Sequence, residues 1–392
     1  MSVTSDGRSG QKRLLIVGGG IAGLTLGCAF QQAGVPFDLI ERVPEPAGGA
    51  GIMLGWNAVQ LLATLGLERP LLELGQRFEQ VRILDPLGRT LQTVSLPEVH
   101  SEAYGLGLFR PELHHVLAEG LPVQWGVGLQ TVQVEPGSVR VRLSSGEERV
   151  YAAVIGADGL HSRVREQVFD ADGPVYTGYT CWRFVAESPL ALAPTEWWGA
   201  GRRIGLVATG QNRLYGYATL NAPAGQHRHA AGSAALLRRL FADFALPLAL
   251  PESDAELIHH DLYELPRHHW VSGPVALIGD AAHAMPPNLG QGAALGIEDA
   301  VVLARAVQRY GVGAQAFGVY AQLRRNRAAA LARTSRHLGR VGQWEHPLLV
   351  TLRNAALVAT PQRALAAQMR EQLLGAGVPR TAPLGDAAIT EG

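Results

Sequence analysis

Three apolar, charge-free runs along the chain each end in glycine, and an acid follows, within two residues in two of them and at the end of a second strand in the first. The first, Leu14-Leu15-Ile16-Val17, has no polar position, as suits a parallel strand buried on both faces. Gly18, Gly20 and Gly23 follow at once. A helical pattern from about Ala22 to Ala33 then runs to Gly34, and a second strand, Phe37 to Ile40, delivers Glu41. The run Ala152 to Ile155 ends at Gly156 and Asp158, with Ser162 and Arg165 one turn apart at a helix start. The run Val275 to Ile278 ends at Gly279 and Asp280, and a helix from about Gly292 to Tyr310 comes after it.

Between these runs the period changes. Gly48 to Gly51 reads as a loop, and Asn57 to Leu65 has helical spacing that Gly66 ends. From about Gly75 to Leu96 apolar and polar positions alternate, with a hairpin turn at Pro86-Leu87-Gly88. A helix starts near Phe109 with Pro111 in its first turn. Short strands are expected at 123–125, 132–134 and 139–143, with Gly146 in a turn. Residues 173–273 alternate again, rich in tryptophan and tyrosine, with one helix from about Ala234 to Phe244. The rest is helical and arginine-rich. Residues 1–11 and the tail after Gly377 read as weakly ordered.

The glycines of the first unit have the GxGxxG spacing. One permits the tight turn, one lets the backbone approach a pyrophosphate, and one lets helix and strand pack closely. The helix aims its N-terminal amides at the phosphates. Glu41, eighteen residues past Gly23, stands where a carboxylate accepts hydrogen bonds from an adenosine ribose. Strand, glycines, helix, second strand and acid together predict a dinucleotide site. A secretory signal is the competing reading of Lys12-Arg13 and the charge-free stretch to Phe30, but five glycines inside it and the immediate return to a strand argue against that.

Composition narrows the remaining classes. At 392 residues the chain has room for two interleaved domains. Its formal net charge is zero, so the overall balance points to no nucleic acid, acidic substrate or membrane surface. No second long charge-free stretch suggests a membrane span. Two cysteines, Cys28 and Cys181, give neither a disulfide framework nor a metal pattern, which fits a reducing, cytoplasmic setting.

The ordered set of three motifs resembles the single-component (group A) FAD-dependent aromatic hydroxylases that share the para-hydroxybenzoate hydroxylase fold, over about residues 12–330. GADGLHSRVR is similar to that family's DGxxSxxR element, through Asp158, Gly159, Ser162 and Arg165. GDAAHAMPPNLGQG is similar to its ribityl-binding element, with Asp280 as the acid. Arg110 matches an arginine near the flavin phosphates and ribityl, and Tyr320, Arg324 and Arg327 match a late YxxxRxxR helix.

The resemblance implies an α/β protein. An FAD-binding Rossmann-like domain of glutathione-reductase type (12–74, 102–172 and 274–330) is interleaved with a smaller mixed-sheet substrate domain (75–101 and 173–273), and a C-terminal helical segment spans 331–392. It implies FAD, NADH or NADPH as a transient co-substrate, and a monooxygenase reaction with O2 through a flavin C4a-hydroperoxide on a small aromatic or conjugated substrate. It places Gly18, Gly20, Ala22, Gly23, Glu41, Arg42, Gly51, Arg110, Leu129, Asp158, Asp280, Gly290, Gln291, Gly292 and Ala293 at the cofactor. Pro286 and Pro287 would stiffen a dry wall at the reacting position, and the amides around Gly290 and Gly292 would face the flavin. Trp182, Arg183, Arg203, Tyr215 and Tyr217 are the pocket candidates, with an arginine suited to a carboxylate or enolate. Trp56 departs from the family pattern and is expected to narrow or cover the pocket. His161 and His283 are expected to pack or to bond backbone. Arg324, Arg325 and Arg327 are expected on a solvated helix face or in an ion-pair network.

Other features set the limits of this reading. No second strand-GxGxxG-helix unit exists for the pyridine nucleotide, and Lys12 precedes the first motif, which argues against the halogenases of the same fold. A monomer or homodimer is expected, without nucleic acid. The alternatives are a flavin dehydrogenase or reductase that inserts no oxygen, and a non-catalytic flavin sensor.

Overall fold

The computed structural model describes residues 13–45, 49–226 and 232–374. The polar lead, Gly48 and the tail after Gly377 lie outside the described residues. At the centre is a six-stranded sheet in the order 271–272, 275–277, 153–156, 14–17, 37–41, 123–125. All neighbours pair in parallel except the first two. Strand Leu14–Val17 is buried throughout, which explains its lack of polar positions. Its register, Leu14 beside both Ala153 and Phe37, brings Gly18, Glu41 and Asp158 to one end of the sheet, where open α/β sheets bind their ligands.

Helices Ile21–Gln32 and Gly292–Tyr310 cross on that sheet at small residues. A Cβ at Gly279 or Gly296 would sit 3.0 Å from the Ala22 Cβ. A three-stranded sheet, 129–135, 138–143 and 148–151, covers the opposite side.

The second large sheet has seven strands in the order 258–264, 175–187, 213–221, 202–208, 195–198, 80–84, 90–95. It is mixed, because 195–198 pairs in parallel with 80–84. One face carries Trp182, Phe184, Trp197, Ile204 and Leu206 against Leu237 and Phe241, the latter just past helix Ser233–Leu240. The other carries Cys181, Arg183, Tyr215 and Tyr217 toward the nucleotide sheet. Between the two lies a small sheet of Gly51–Leu54, Gly105–Phe109 and Gln76–Phe78.

Several expectations shift in the structure. Gly51 opens a strand instead of ending a loop. The helix expected to reach Phe244 stops at Leu240. A helix at Glu68–Leu74 was hidden by Pro70, which sits in the first turn, where no N–H donor is needed. Strand Gln76–Phe78 joins the small sheet, and Val271–Ser272 joins the nucleotide sheet. Helix Ala314–Gly342 runs unbroken through residue 330, because Ala328, Leu331 and Ala332 go on burying one stripe. Among the described residues no helix is long and apolar enough to cross a membrane.

Candidate active site

The glycine turn shows why each glycine stands where it does. Gly18 has φ +111°, and a Cβ there would meet the Ala157 carbonyl at 2.4 Å. A Cβ at Gly23 would lie 2.0 Å from the Gly18 carbonyl oxygen, so only glycine lets the helix start this close to the strand. A Cβ at Gly20 would meet nothing within 4 Å. That open side, at the start of helix Ile21–Gln32, is where a pyrophosphate reaches the amides. Glu41 accepts from the backbone N–H of Gly19 at 2.7 Å and of Val43 at 2.9 Å. His114 Nε2 donates to the Gly19 carbonyl at 2.6 Å from a buried position. Desolvation lowers its pKa and keeps it neutral, with Nε2 carrying the proton.

Along the edge of this turn, Arg42 is exposed and packs beside Gly128. Leu129 is buried with Ile40 and Val132, so only its main chain is left to reach a ligand. Asp158 caps its own helix. One carboxylate oxygen accepts from the Ser162 hydroxyl at 2.6 Å and the other from the Val164 N–H at 3.2 Å. Burial raises its pKa against those bonds. Its side-chain hydrogen bonds to Ser162 and Val164 are thus local, and Arg165 ties the segment to the third run by donating to the Ala281 carbonyl.

The third run forms the floor. Asp280 is accessible at a helix start, but the cleft closes around it. Desolvation raises its carboxyl pKa, while His283 and Arg110 pull the other way. Arg110 stands across from it, its own pKa lowered by desolvation. Beyond Pro286 and Pro287 the chain makes one short helical turn and reaches Gly290 with φ +62°, then Gln291, Gly292 and Ala293 at the head of a nineteen-residue helix. A Cβ at Gly292 would approach only Asp280 Oδ1, at 3.9 Å. The backbone amides there are thus open to a ligand edge.

Buried polar groups hold this floor from behind. Asp299 accepts from the Gly279 N–H at 2.9 Å, from His283 Nε2 at 2.5 Å and from Arg324 at 2.7 Å. Glu298 pairs with Arg324 at 2.6 Å and Arg327 at 2.7 Å, and accepts from Asn57 at 2.8 Å. Asn57 also donates to Gln291 at 3.0 Å. Desolvation pushes Glu298 up, but the two guanidiniums outweigh it and bring its pKa down to about 2. Arg324 and Arg327 are therefore network residues, while Arg325 is exposed. His283 bonds a carboxylate and stacks on Trp270 instead of meeting backbone, and His161 is exposed.

The sheet face opposite sorts the pocket candidates. Trp182 is 0% exposed and faces away, into the layer under helix Ser233–Leu240, which corrects its assignment. Arg203 lies on the near face but is buried. It donates to Asn288 at 2.7 Å, Gln343 at 3.0 Å and Glu196 at 3.2 Å, so it braces the 286–290 loop instead of lining an open pocket. Asn288 completes the brace by donating to Tyr179 and to the Ser335 carbonyl, each at 2.9 Å. Tyr215 and Tyr217 share a face, with ring centroids 5.8 Å apart. Tyr215 packs so closely on Gly51 that a Cβ there would lie 2.3 Å from its own Cβ, and Arg183 lies near enough to lower its pKa against the rise that burial causes. Arg183 is half-buried, 3.5 Å from His260 Nδ1, and among the described residues no carboxylate pairs with it. Desolvation, with Arg183 and Arg110 nearby, lowers the His260 pKa. Trp56 is buried against Tyr104 and His100.

His114, His260, Asn57 and Asn288 were not among the expected site residues. A signal existed for His114, whose helix buries Leu113, His114, Val116 and Leu117 on one stripe, leaving a histidine inside beside the glycine turn. The other three act across distances that spacing does not report.

The cleft fits FAD: an amide-lined glycine turn, a carboxylate for a ribose, an acid on its floor and open amides at a helix head. The model for the FAD binding domain matches residues 12–335. The chain belongs to the group A FAD-dependent aromatic hydroxylases. Over 361 residues, 89% of this chain and 94% of the relative, the hydroxylase is 38% identical to 2-heptyl-3-hydroxy-4(1H)-quinolone synthase of Pseudomonas aeruginosa (strain UCBPP-PA14). It is 33% identical to the aurachin C monooxygenase/isomerase of Stigmatella aurantiaca, over 92% of this chain and 97% of that one. The structure of Klebsiella pneumoniae HpxO complexed with FAD and uric acid superposes with a TM-score of 0.86 at 25% identity, covering 94% and 98% of the two chains. The hydroxylase is thus an FAD-dependent monooxygenase of aromatic substrates, with NAD(P)H as reductant.

Proposed function

We propose that this hydroxylase inserts one oxygen atom into a nitrogen-containing aromatic ring that carries an oxygen substituent, of 4-quinolone type. The balance is ring C–H plus O2, NAD(P)H and a proton, giving ring C–OH, water and NAD(P)+. Bound FAD supplies the acceptance of hydride and the activation of oxygen. The chain's own residues bind, orient and exclude water. The observation that carries the reading is Arg183, a half-buried cation on the cleft side of the sheet, 3.5 Å from His260 Nδ1 and with no carboxylate partner among the described residues. Such a group takes an oxyanion, as an enolised quinolone offers. Neutral His260 beside it offers a ring nitrogen to the same oxygen. The relative named as a 2-heptyl-3-hydroxy-4(1H)-quinolone synthase supports the ring type.

At the cofactor, Gly18, Gly20, Ala22, Gly23, Glu41, Arg42 and Arg110 hold the dinucleotide. Asp280 takes the ribityl chain, and the amides of Gly292 and Ala293 face the ring edge, while the Gly290 N–H is taken up by the Pro287 carbonyl at 2.9 Å, with Pro286 and Pro287 as a wall that donates no proton. The division into an FAD-binding and a substrate lobe follows the two large sheets. Two free cysteines suit a reducing cytoplasm.

The test is NAD(P)H consumption by the FAD-loaded enzyme in air with 4-quinolones, hydroxybenzoates and uric acid, with hydrogen peroxide counted alongside. Faster consumption with 4-quinolones, and peroxide well below the NAD(P)H used, supports the proposal. Coupling only to hydroxybenzoates or uric acid sinks the ring assignment.

A further inference from the structure

Helix Pro347–Ala359, PLLVTLRNAALVA, is inside out. Its inward stripe is Val350, Arg353, Asn354 and Leu357. Arg353 is 2% exposed, and its guanidinium donates to the carbonyls of Gly199 and Gly342. Gln92, on an edge strand of the seven-stranded sheet, donates to the carbonyls of Leu357 and Thr360 and fixes the same orientation. The outward face carries Leu348, Leu352 and Val358, which are 74%, 62% and 64% exposed. Ala355 and Ala359 extend it at helical spacing. A surface helix ordinarily turns its apolar stripe inward, and a contiguous exposed strip of this kind marks an interaction face.

Charge says what covers it. The chain is neutral overall, but from Ala300 to Arg370 it holds eleven arginines and a single acid, Glu345. Some of these arginines are buried in the network behind the floor. Arg325, Arg333, Arg340, Arg363 and Arg370 are exposed, and Arg340 and Arg363 bracket the apolar helix in sequence. The neutral balance therefore hides a cationic C-terminal segment.

We propose that helix Pro347–Ala359 docks the enzyme on an anionic phospholipid bilayer, its leucines entering the acyl boundary and the flanking arginines meeting headgroup phosphates. A second copy of the chain on this strip would set two arginine-rich layers against each other. The attachment is peripheral and reversible. It stands on this surface alone, whatever the ring the enzyme hydroxylates.

The experiment is flotation of the FAD-loaded full chain with vesicles of phosphatidylglycerol and phosphatidylcholine, and with phosphatidylcholine alone. Binding to the anionic vesicles is expected to be about tenfold stronger or more, and to weaken with salt. A Leu348→Asp/Leu352→Asp variant should lose about tenfold in vesicle binding. Arg340→Glu/Arg363→Glu should weaken it only toward anionic vesicles. Both variants should keep the wild-type circular dichroism and NAD(P)H oxidation, since all four side chains are exposed. The proposal is overturned if the wild type binds no vesicles, or if it binds neutral and anionic vesicles alike. It is also overturned if sedimentation shows a concentration-dependent dimer that the leucine variant abolishes.

Discussion

Glu41 receives two backbone N–H groups while keeping its place at the end of a parallel strand. Replacing it with alanine removes a charged acceptor from the glycine turn, an effect worth about 1.5–3 kcal/mol for such bonds. FAD affinity, read by flavin fluorescence, should fall by roughly tenfold to a hundredfold. Arg183 belongs to the other side of the cleft. Arg183→Gln should raise the KM for the oxygenated ring by a similar factor and leave FAD affinity unchanged, and a variant that loses flavin would refute its assignment to substrate. These two residues were legible for different reasons. Strand and helix geometry fixes the spacing from Gly18 to Glu41, so the sequence states it outright. For Trp182 and Arg183, alternation shows that neighbours point opposite ways but not which way is in. Helix Ser233–Leu240 decides that, by covering the face that Trp182 shares.

At the scale of elements, helix Ala314–Gly342 acts on the floor through Arg324 and Arg327, more than twenty residues from their partners Glu298 and Asp299. Removing one member of such a buried set strands the others, so Arg324→Met should lower the unfolding free energy by about 3–5 kcal/mol in urea melts. The pH dependence follows from Glu298, whose pKa falls from 4.5 to about 2 on folding. A depressed carboxylate contributes stability that is full above its unfolded pKa and is lost as pH falls through the folded one. Stability should therefore decline between about pH 4.5 and 2, and Glu298→Gln, already weaker at neutral pH, should decline less across that window. The helix and its arginines were visible in the sequence, down to the YxxxRxxR spacing. Their acids are not legible there, because Glu298 and Asp299 lie inside an apolar helix whose sequence does not report the arginines it meets.

Across the whole molecule, the two large sheets meet across the small sheet that holds Gly51. A ligand that fills the cleft should tie them together. At FAD concentrations a hundredfold above its dissociation constant, the folded state gains about 2.7 kcal/mol, so stripping the flavin should lower the melting temperature measurably by calorimetry. The architecture was readable because each glycine-acid run marks one parallel strand end. The meeting of the sheets was not, since Gly51 has the pattern of a loop and is in fact one point of contact, as Gly107 against the Ala208 carbonyl is another. A methyl group there would stand 2.3 Å from the Tyr215 Cβ, about 1 Å inside ordinary van der Waals distance. Gly51 is thus a zero-thickness spacer between the small sheet that it opens and the seven-stranded sheet that carries Tyr215. Inserting one carbon, as Gly51→Ala, would be a shim, leaving a machine that still burns reductant but misses its target by the width of the gap.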